Sequence, residues 1–199
     1  MSDDSLNRRI AERVRSLRAA QGLSLDALAT RSGVSRSMIS LIERGESSPT
    51  AVVLERLATG LGVMLASLFD PAQAPPPATD GPVSRRADQA LWQDPASGYR
   101  RRNVSPPGGP QPMQIVEVEF PAGGTVAFET GVRELRVHQQ VWVLSGAIDI
   151  TLGDVRHRLR EGDCLAMQLD RPTSFHNPTR APARYAVVIA TEPATRRGA

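Results

Sequence analysis

Apolar residues follow two different spacings along the chain, and the change occurs at a proline-rich segment. Before that segment they recur at helical intervals in four groups: Leu6, Ile10, Val14 and Leu17; Leu25, Leu28 and Ala29; Met38, Ile39 and Ile42; and Val53, Leu54, Leu57 and Leu61. After it they occur in short β-type runs, among them MQIVEVEF, VWVL, AIDITL and RYAVVIA, separated by turns that mostly contain glycine. The pattern predicts an all-helical domain followed by an all-β domain.

The proline-rich segment separates these two regions. It reads DPAQAPPPATDGP, from Asp70 to Pro82, and its five prolines are incompatible with the interior of a helix or a sheet. We therefore predict a helical domain over residues 1–70, a semi-rigid linker over 71–82, a β domain over 83–192 and a C-terminal tail over 193–199.

The stretch LSLDALATRSGVSRSMISLIERG predicts two short helices joined by a glycine turn. Ser24 suits the N-cap of a first helix over residues 25–32. Gly33 suits the turn, and a second helix follows over about residues 35–44. Two short helices joined in this way form a helix-turn-helix.

The second of these helices has an apolar side and a polar side. The apolar side carries Val34, Ile39 and Ile42. The polar side carries Arg36, Ser37, Ser40 and Arg44. Small hydroxyl side chains let a helix approach the floor of the DNA major groove, and Arg36 is long enough to reach a guanine edge or a phosphate. Taken alone, this polar side fits an ordinary solvated helix surface as well.

Four short motifs extend the pattern over residues 10–69: LA at 28–29, GVS at 33–35, IERG at 42–45, and SPT before a helix that ends in LATGLGV. With these motifs the region resembles the DNA-binding domain of the lambda-repressor and Cro-like (XRE) family. The resemblance implies a five-helix domain that binds double-stranded operator DNA with its second short helix.

The same resemblance implies which residues contact DNA. The implied set is Leu25, Ser35, Arg36, Ser37, Ser40, Leu41 and Arg44, of which Arg44 lies near the DNA backbone. Many family members have Gln at the position of Leu25, where the side chain grips a phosphate. Here only the backbone N–H at that helix N-terminus is expected to make the contact. Glu43 is expected to bond within the domain.

Charge and cysteine usage narrow the class of protein. The formal charge is +3, all 24 basic residues are arginine, and residues 1–70 carry nine arginines against eight acidic residues. DNA binding must therefore depend on the local placement of charge. Cys164 is the single cysteine, which excludes an intramolecular disulfide. Without a signal peptide or a membrane-spanning apolar run, we expect a cytoplasmic protein with no membrane partner.

Two longer motifs characterise the second region: VWVLSGAIDITLGD, and HRLREGDCLAMQLDRPTSFHNPT. Gly146 and the Gly162–Asp163 pair suit tight turns within them. These motifs resemble those of a small cupin barrel, in which the second motif ends in an asparagine that closes the fold. Many regulators join such a cupin to a helix-turn-helix.

Catalytic cupins hold Fe, Mn, Zn or Ni with two His and a Glu from the first motif and a His from the second. The corresponding positions of this chain are Val132, Glu134, Gln139 and Thr173. The histidines present do not have the required spacing; they are His138, His157 and His176. We predict no metal, no other cofactor and no catalytic residue, while a non-standard site that uses His138 or His176 stays open.

A barrel without a metal can still enclose a small molecule. The candidate ligand-binding residues are Arg101, Arg136, His138, Gln140, Trp142, Met167 and His176. His138 and Gln140 are two residues apart, so on a strand they share a face and can point into the barrel together. For Trp142 and Met167 the alternative is core packing. For Arg101 an inward position would indicate an anionic ligand, and the alternative is a solvated or interface strand.

These features predict a sequence-specific transcriptional regulator that binds operator DNA as a homodimer. Its β domain is expected to form the dimer contact and to sense a small-molecule effector of unknown identity. Two alternatives remain from the sequence. One is a cupin enzyme, such as an oxygenase or isomerase, with an attached DNA-binding domain, and the other is a regulator whose β domain binds a protein partner.

Overall fold

The computed structural model describes residues 3–69, 82–106, 113–129 and 135–193. Contacts between residues divide the chain into two compact units, Met1–Pro110 and Gln111–Ala199. Residues 71–81 of the predicted linker and residues 194–199 of the predicted tail lie outside the described residues. In the described ranges, no helix combines the length and the apolar character needed to cross a membrane.

The first unit begins with four α-helices and a short 3₁₀ helix. The α-helices are α1 (Asp3–Ala20), α2 (Leu25–Ser32), α3 (Arg36–Glu43) and α4 (Ala51–Gly60), and the 3₁₀ helix is Leu65–Phe69. Of the apolar residues at helical spacing, the following lie in the core and are at most 2% exposed: Leu6, Ile10, Val14, Leu28, Ile39, Ile42, Leu54, Leu57 and Leu61. Met38, which belongs to the same pattern, is 36% exposed. The described part of this unit has four α-helices rather than the five predicted, and the five-residue 3₁₀ helix follows them.

A two-stranded antiparallel hairpin also belongs to the first unit. Its strands are β1 (Leu91–Gln93) and β2 (Arg100–Asn103). Trp92 is 2% exposed, and its ring centroid lies 5.7 Å from that of Phe69 and 5.8 Å from that of Tyr99. This segment follows the predicted linker in sequence, yet it packs on the helical side of the chain.

The carboxylate of Asp94 links the turn of this hairpin to α4 through hydrogen bonds. One carboxylate oxygen accepts a hydrogen bond from the backbone N–H of Ala51, the first residue of α4, at 2.9 Å. The other accepts from the backbone N–H and the hydroxyl of Ser97, at 2.8 and 2.5 Å. A carboxylate is stabilised at a helix N-terminus by the unpaired N–H groups and the helix dipole. Asp94 is 2% exposed, so these bonds hold it in place with little competition from water.

The second unit has eight strands in its described residues, arranged as two antiparallel sheets. The strands are β3 (Met113–Phe120), β4 (Thr125–Phe128), β5 (Leu135–Ser145), β6 (Ala147–Leu152), β7 (Val155–Arg160), β8 (Cys164–Gln168), β9 (Thr173–His176) and β10 (Ala183–Pro193). Within this unit the first sheet has the order β3-β10-β5-β8 and the second has the order β4-β9-β6-β7. Their inner faces meet at Tyr185 and Phe175, whose rings stack with centroids 6.2 Å apart.

Tight turns and one asparagine close this β unit as the motifs predict. Gly146 has φ of 81°, and a Cβ atom there would lie 3.0 Å from the carbonyl oxygen of Pro182. Gly162 has φ of 88°, and the carboxylate of Asp163 accepts from the backbone N–H of residue 160 at 2.8 Å. Asn177 is fully buried and donates to two backbone carbonyl oxygens, at 3.2 and 2.8 Å. The predicted fold class, a helix-turn-helix domain followed by a cupin-like β domain, is confirmed.

Candidate nucleic-acid interface

Serine caps and a left-handed glycine set the geometry of α2 and α3. The hydroxyl oxygens of Ser24 and Ser35 accept backbone N–H groups three residues on, at 3.0 and 3.3 Å. Gly33 has φ of 67°, and its N–H donates to the carbonyl oxygen of Ala29 at 2.9 Å. Side chains with a Cβ atom are strained at that φ. The predicted N-cap at Ser24 and the predicted turn at Gly33 are confirmed, and Ser35 caps α3 in the same way.

The two sides of α3 differ as its sequence predicts. The anchoring residues Val34, Ile39 and Ile42 are 6%, 0% and 1% exposed. On the other side Arg36 and Ser37 are exposed, whereas Ser40 and Leu41 are half-buried. The polar side therefore projects from a helix whose apolar side is fixed in the core. That these polar residues contact DNA stays a prediction.

Arg36 forms an exposed ion pair with Asp26 in the first turn of α2. The guanidinium Nε lies 3.3 Å from the carboxylate Oδ1, and the two side chains are 64% and 76% exposed. An ion pair at this exposure contributes little to stability, so Arg36 can exchange Asp26 for DNA. Leu25, the first residue of α2, directly precedes Asp26 in the sequence, and its side chain is half-buried. A phosphate that approaches the backbone N–H of Leu25 is therefore repelled by the negative charge of Asp26.

Arg44, at the C-terminal cap of α3, is engaged by Glu46. Its Nε and Nη2 atoms donate to the two carboxylate oxygens of Glu46, both at 2.8 Å, and its Nη1 donates to the hydroxyl of Ser40 at 2.5 Å. These hydrogen bonds raise the pKa of Arg44 and lower the pKa of Glu46. Sequence reasoning missed Glu46, although the spacing in ERGE carries the signal. For Arg44 to bind a phosphate, it must share or leave this pair.

Glu46→Gln is expected to tighten operator binding severalfold and to steepen its dependence on salt. The substitution removes the carboxylate that competes with phosphate for Arg44, so one more arginine becomes available to displace counterions. Fluorescence anisotropy with one labelled duplex over a series of salt concentrations measures both effects. Glu12→Gln removes an equal charge from an exposed position on α1. Equal gains in the two variants would show that net charge alone is responsible.

Glu43 is the acidic residue of α3, and it is bound inside the domain. Its two carboxylate oxygens accept from Nε and Nη2 of Arg18 on α1, at 2.6 and 2.8 Å. The Arg18 and Glu43 side chains are only 18% and 8% exposed. Arg18 also donates to the carbonyl oxygen of Leu23, before α2, at 2.8 Å. The expectation that Glu43 bonds within the domain is confirmed, and the pair ties α1 to the C-terminal part of α3.

Strand β5 places most of the predicted ligand-binding residues on the outer face of its sheet. Three of its four inward positions carry Val137, Val141 and Val143, which are 5%, 0% and 1% exposed, and the fourth carries Gln139, which is half-buried. The alternate positions point away from the core and carry Arg136, His138, Gln140 and Trp142, of which Trp142 is 52% exposed. His138 and Gln140 do share a face, but it is not the inner face, because the valines occupy that side.

The other three predicted ligand-binding residues lie on other strands than β5. Met167 is 7% exposed in the core, and His176 lies on β9 with Nδ1 2.9 Å from the hydroxyl oxygen of Thr125. Arg101 lies on β2 of the first unit, 7% exposed, with its guanidinium carbon 5.8 Å from the ring centroid of Phe69. This position allows a cation–π contact. The six candidates within the β unit do not converge on one site, and ligand binding by any of the seven stays a prediction.

The described residues contain no group of three or more His, Cys, Asp or Glu side chains placed to hold a metal ion. His138 has one acidic neighbour, with its Nε2 atom 3.8 Å from Oε2 of Glu192. One histidine and one carboxylate do not make the ligand set of a catalytic cupin. Val132 and Glu134, two of the four positions that correspond to cupin ligands, lie outside the described residues, and the described residues do not fit that metal centre.

Comparisons with known proteins agree with this geometry. A family model described as Helix-turn-helix (HTH_3) matches residues 14–68. The chain is 39% identical over 79 residues to the HTH-type transcriptional regulator SutR of Escherichia coli (strain K12). The aligned segment covers 40% of this chain and 44% of SutR. It is 27% identical over 198 residues to the HTH-type transcriptional regulator PuuR of the same organism. That alignment covers 98% of this chain and all of PuuR.

One crystal structure extends the likeness to both units. An HTH_3 family transcriptional regulator from Vibrio cholerae has a TM-score of 0.76 and 25% sequence identity to this chain. The alignment covers 95% of this chain and 98% of the Vibrio protein. The combination of a helical unit with a β unit thus occurs in a second protein of nearly the same length.

Proposed function

The chain belongs to the HTH_3 helix-turn-helix family of transcriptional regulators, and we propose that it binds operator DNA with α3 in the major groove. The observation that carries this proposal is the exposed polar side of α3 on a helix anchored by Ile39 and Ile42. Small serine side chains permit close approach to base edges, and Arg36 supplies a long donor for guanine or phosphate.

The contacts of this interface divide into two kinds. Arg36, Ser37, Ser40 and Leu41 are proposed to face base edges, since they lie on the outward side of α3. Ser35, Arg44 and the backbone N–H of Leu25 are proposed to contact the phosphate backbone. Glu43 takes no part, because Arg18 holds its carboxylate inside the domain.

Arg36→Ala is expected to weaken operator binding by about 1–3 kcal/mol while the fold stays intact. The side chain is exposed, so its loss removes a DNA contact and leaves no cavity. Fluorescence anisotropy at fixed salt measures the affinity, and circular dichroism checks the helix content.

Asp26→Ala is the matched control for this experiment. It breaks the same ion pair but keeps Arg36, so operator binding should not weaken. If Asp26→Ala weakens binding as much as Arg36→Ala does, the ion pair and not a DNA contact is responsible, and the proposed recognition surface is wrong.

We further propose that the β unit joins two copies through the outer face of its first sheet. This outer face is formed by the outward residues of β3, β10, β5 and β8. Its apolar members are Met113, Ile115, Trp142, Ala166, Ala186, Val188 and Ala190, which the strand register brings together. Met113, Trp142 and Ile115 are 57%, 52% and 42% exposed, and large exposed apolar side chains that cluster favour an interface.

The charges around this outer face suit a second copy of the same chain. One end carries the ion pair of Arg184 and Glu117, at 3.1 Å, and the other end carries Arg136 opposite Glu192. The first end also carries Glu119, opposite Arg184 in the strand register, so both ends present side chains of both signs. In a two-fold contact the same patch meets itself, so a surface with both signs at each end can pair without like charges opposed.

A dimer also fits the proposed DNA contact. Two recognition helices must reach half-sites about 34–36 Å apart, and a fixed contact between β units would set that separation. We propose a regulatory rather than catalytic role for the β unit, supported by the regulator matched along its full length. A cytoplasmic location is proposed on the same grounds.

A further inference from the structure

A groove of about 730 Å³ runs along the surface of the first unit beside the hairpin. It is lined by Arg86, Arg100 and Arg102, by the side-chain amides of Gln89 and Gln93, and by Leu91. Among the described residues that line it, none is acidic. We call this feature the arginine groove, defined by these six residues.

The hairpin register explains why these side chains share one face. Arg102 lies opposite Leu91, and Arg100 lies opposite Gln93, so the four alternate positions of the two strands point to the same side. The intervening pair, Trp92 and Arg101, points to the opposite side and is buried. The arginine groove is therefore built on a hairpin whose other face is packed into the unit.

The backbone beneath the arginine groove is held firmly. Trp92 packs between two aromatic rings, and Asp94 bonds the hairpin turn to the first residue of α4. A site on such a support loses little conformational freedom when a ligand binds. The groove thus meets the condition of a preformed site.

The donor chemistry of the groove selects for anionic oxygen. Three guanidinium groups and the Gln93 amide present N–H donors, whereas the Gln89 amide nitrogen donates to the backbone carbonyl oxygens of Ser84 and Val104, at 3.3 and 3.5 Å. Guanidinium matches carboxylate and phosphate oxygens in a planar, two-bond geometry. Each guanidinium has five N–H donors, so an arginine that pairs within the protein keeps donors for a ligand. Residues 82–106 carry five arginines and two aspartates, whereas residues 1–70 carry only one net positive charge.

We propose that the arginine groove binds a small polyanion that carries carboxylate or phosphate groups, and that this polyanion is the effector of the regulator. The proposal rests on the proposed regulatory function. The volume of the groove lies within the range of about 300–1,000 Å³ that small-molecule sites have, and Leu91 adds an apolar wall. Since α4 and the hairpin share a buried hydrogen bond, a ligand held here acts on the same packed unit as α3.

Full-length protein is titrated calorimetrically at low ionic strength with citrate and, separately, with pyrophosphate. Binding of citrate identifies a carboxylate ligand, and binding of pyrophosphate identifies a phosphate ligand. Arg102→Gln is expected to weaken the binding by about tenfold or more, because a charge-assisted pair of hydrogen bonds is lost. Arg86→Gln, outside the strands, is expected to act in the same direction.

Arg85→Gln is the matched control, because it removes an equal charge one residue away from the lining. It should leave the affinity for the bound anion unchanged. Equal weakening by Arg85→Gln and Arg102→Gln would mean general charge attraction and would overturn the proposal. So would failure of both anions to bind the wild-type protein at millimolar concentration.

A third outcome assigns the groove to DNA instead. If no anion binds, and Arg102→Gln weakens operator affinity and lowers its salt dependence, the arginines contact DNA phosphates and the effector proposal is overturned. The Arg36→Ala experiment tests operator recognition separately. Normal operator binding without anion binding would therefore remove the arginine groove as an effector site and leave the proposed function standing.

Discussion

Replacement of Trp92 by alanine is expected to lower the free energy of unfolding of the first unit by about 3–5 kcal/mol. The side chain is 2% exposed and contacts the rings of both Phe69 and Tyr99. Its removal leaves a cavity between the 3₁₀ helix and the hairpin, two elements that are far apart in sequence. Because total stabilities are only about 5–15 kcal/mol, this loss threatens the folding of the DNA-binding unit itself.

Chemical denaturation of the full-length protein, followed by far-ultraviolet circular dichroism, measures this change. Trp92→Phe keeps an aromatic ring in the same place and should cost considerably less. The chain has two tryptophans, and the other, Trp142, is exposed, so the blue-shifted part of the fluorescence should vanish in Trp92→Ala. An unchanged unfolding transition would mean that the hairpin does not pack on the helices.

Elements with strong local signals were predictable from the sequence. Ser24, Ser35 and Gly33 act through bonds to residues at most four positions away, so their roles can be read from spacing alone. The same is true of the turns at Gly146 and Gly162, where glycine is needed for a positive φ. These local features account for the success of the helix-turn-helix and β-domain predictions.

Features that depend on distant partners were not predictable. Nothing in the sequence near Trp92 indicates that it packs on Phe69, or that Asp94 bonds α4 across 43 positions of the chain. The proline-rich segment suggested a division that ends the helical domain at residue 70. Packing instead brings the hairpin after that segment into the first unit. Composition marks a break in regular structure, but only tertiary contacts decide which side a later segment joins.

The orientation of β5 shows a different limit. Alternation indicated correctly that His138 and Gln140 share a face, but it does not say which face is inside. In VHQQVWVL the valines and Trp142 are all apolar, so hydrophobicity alone does not rank the two faces. The structure buries the three smaller, β-branched side chains and exposes the tryptophan. Trp142, a predicted ligand-binding residue, is therefore a candidate for the contact between two copies of the chain.

Trp142→Arg is expected to dissociate the proposed dimer and to weaken binding to a palindromic operator by about a hundredfold or more. The charge would enter the apolar centre of the outer face, opposite its own copy in a two-fold contact, where desolvation and like-charge repulsion both oppose association. Two recognition helices that are joined bind the second half-site at a high effective concentration, and dissociation removes this gain. Binding to a duplex with a single half-site should not change, because each helix-turn-helix remains folded.

Sedimentation equilibrium measures the dimer, and anisotropy on palindromic and half-site duplexes measures the DNA affinity. Cys164 lies opposite Trp142 in the strand register and is exposed in the single chain, so its alkylation should be slow in the wild-type dimer and fast in Trp142→Arg. Val155→Arg is the matched control, because it places the same charge at an apolar residue of β7 that is 58% exposed. It should leave assembly and operator affinity unchanged. If Trp142→Arg remains a dimer with normal operator affinity, the outer face does not join two copies, and the separation of the recognition helices must be set by another part of the chain.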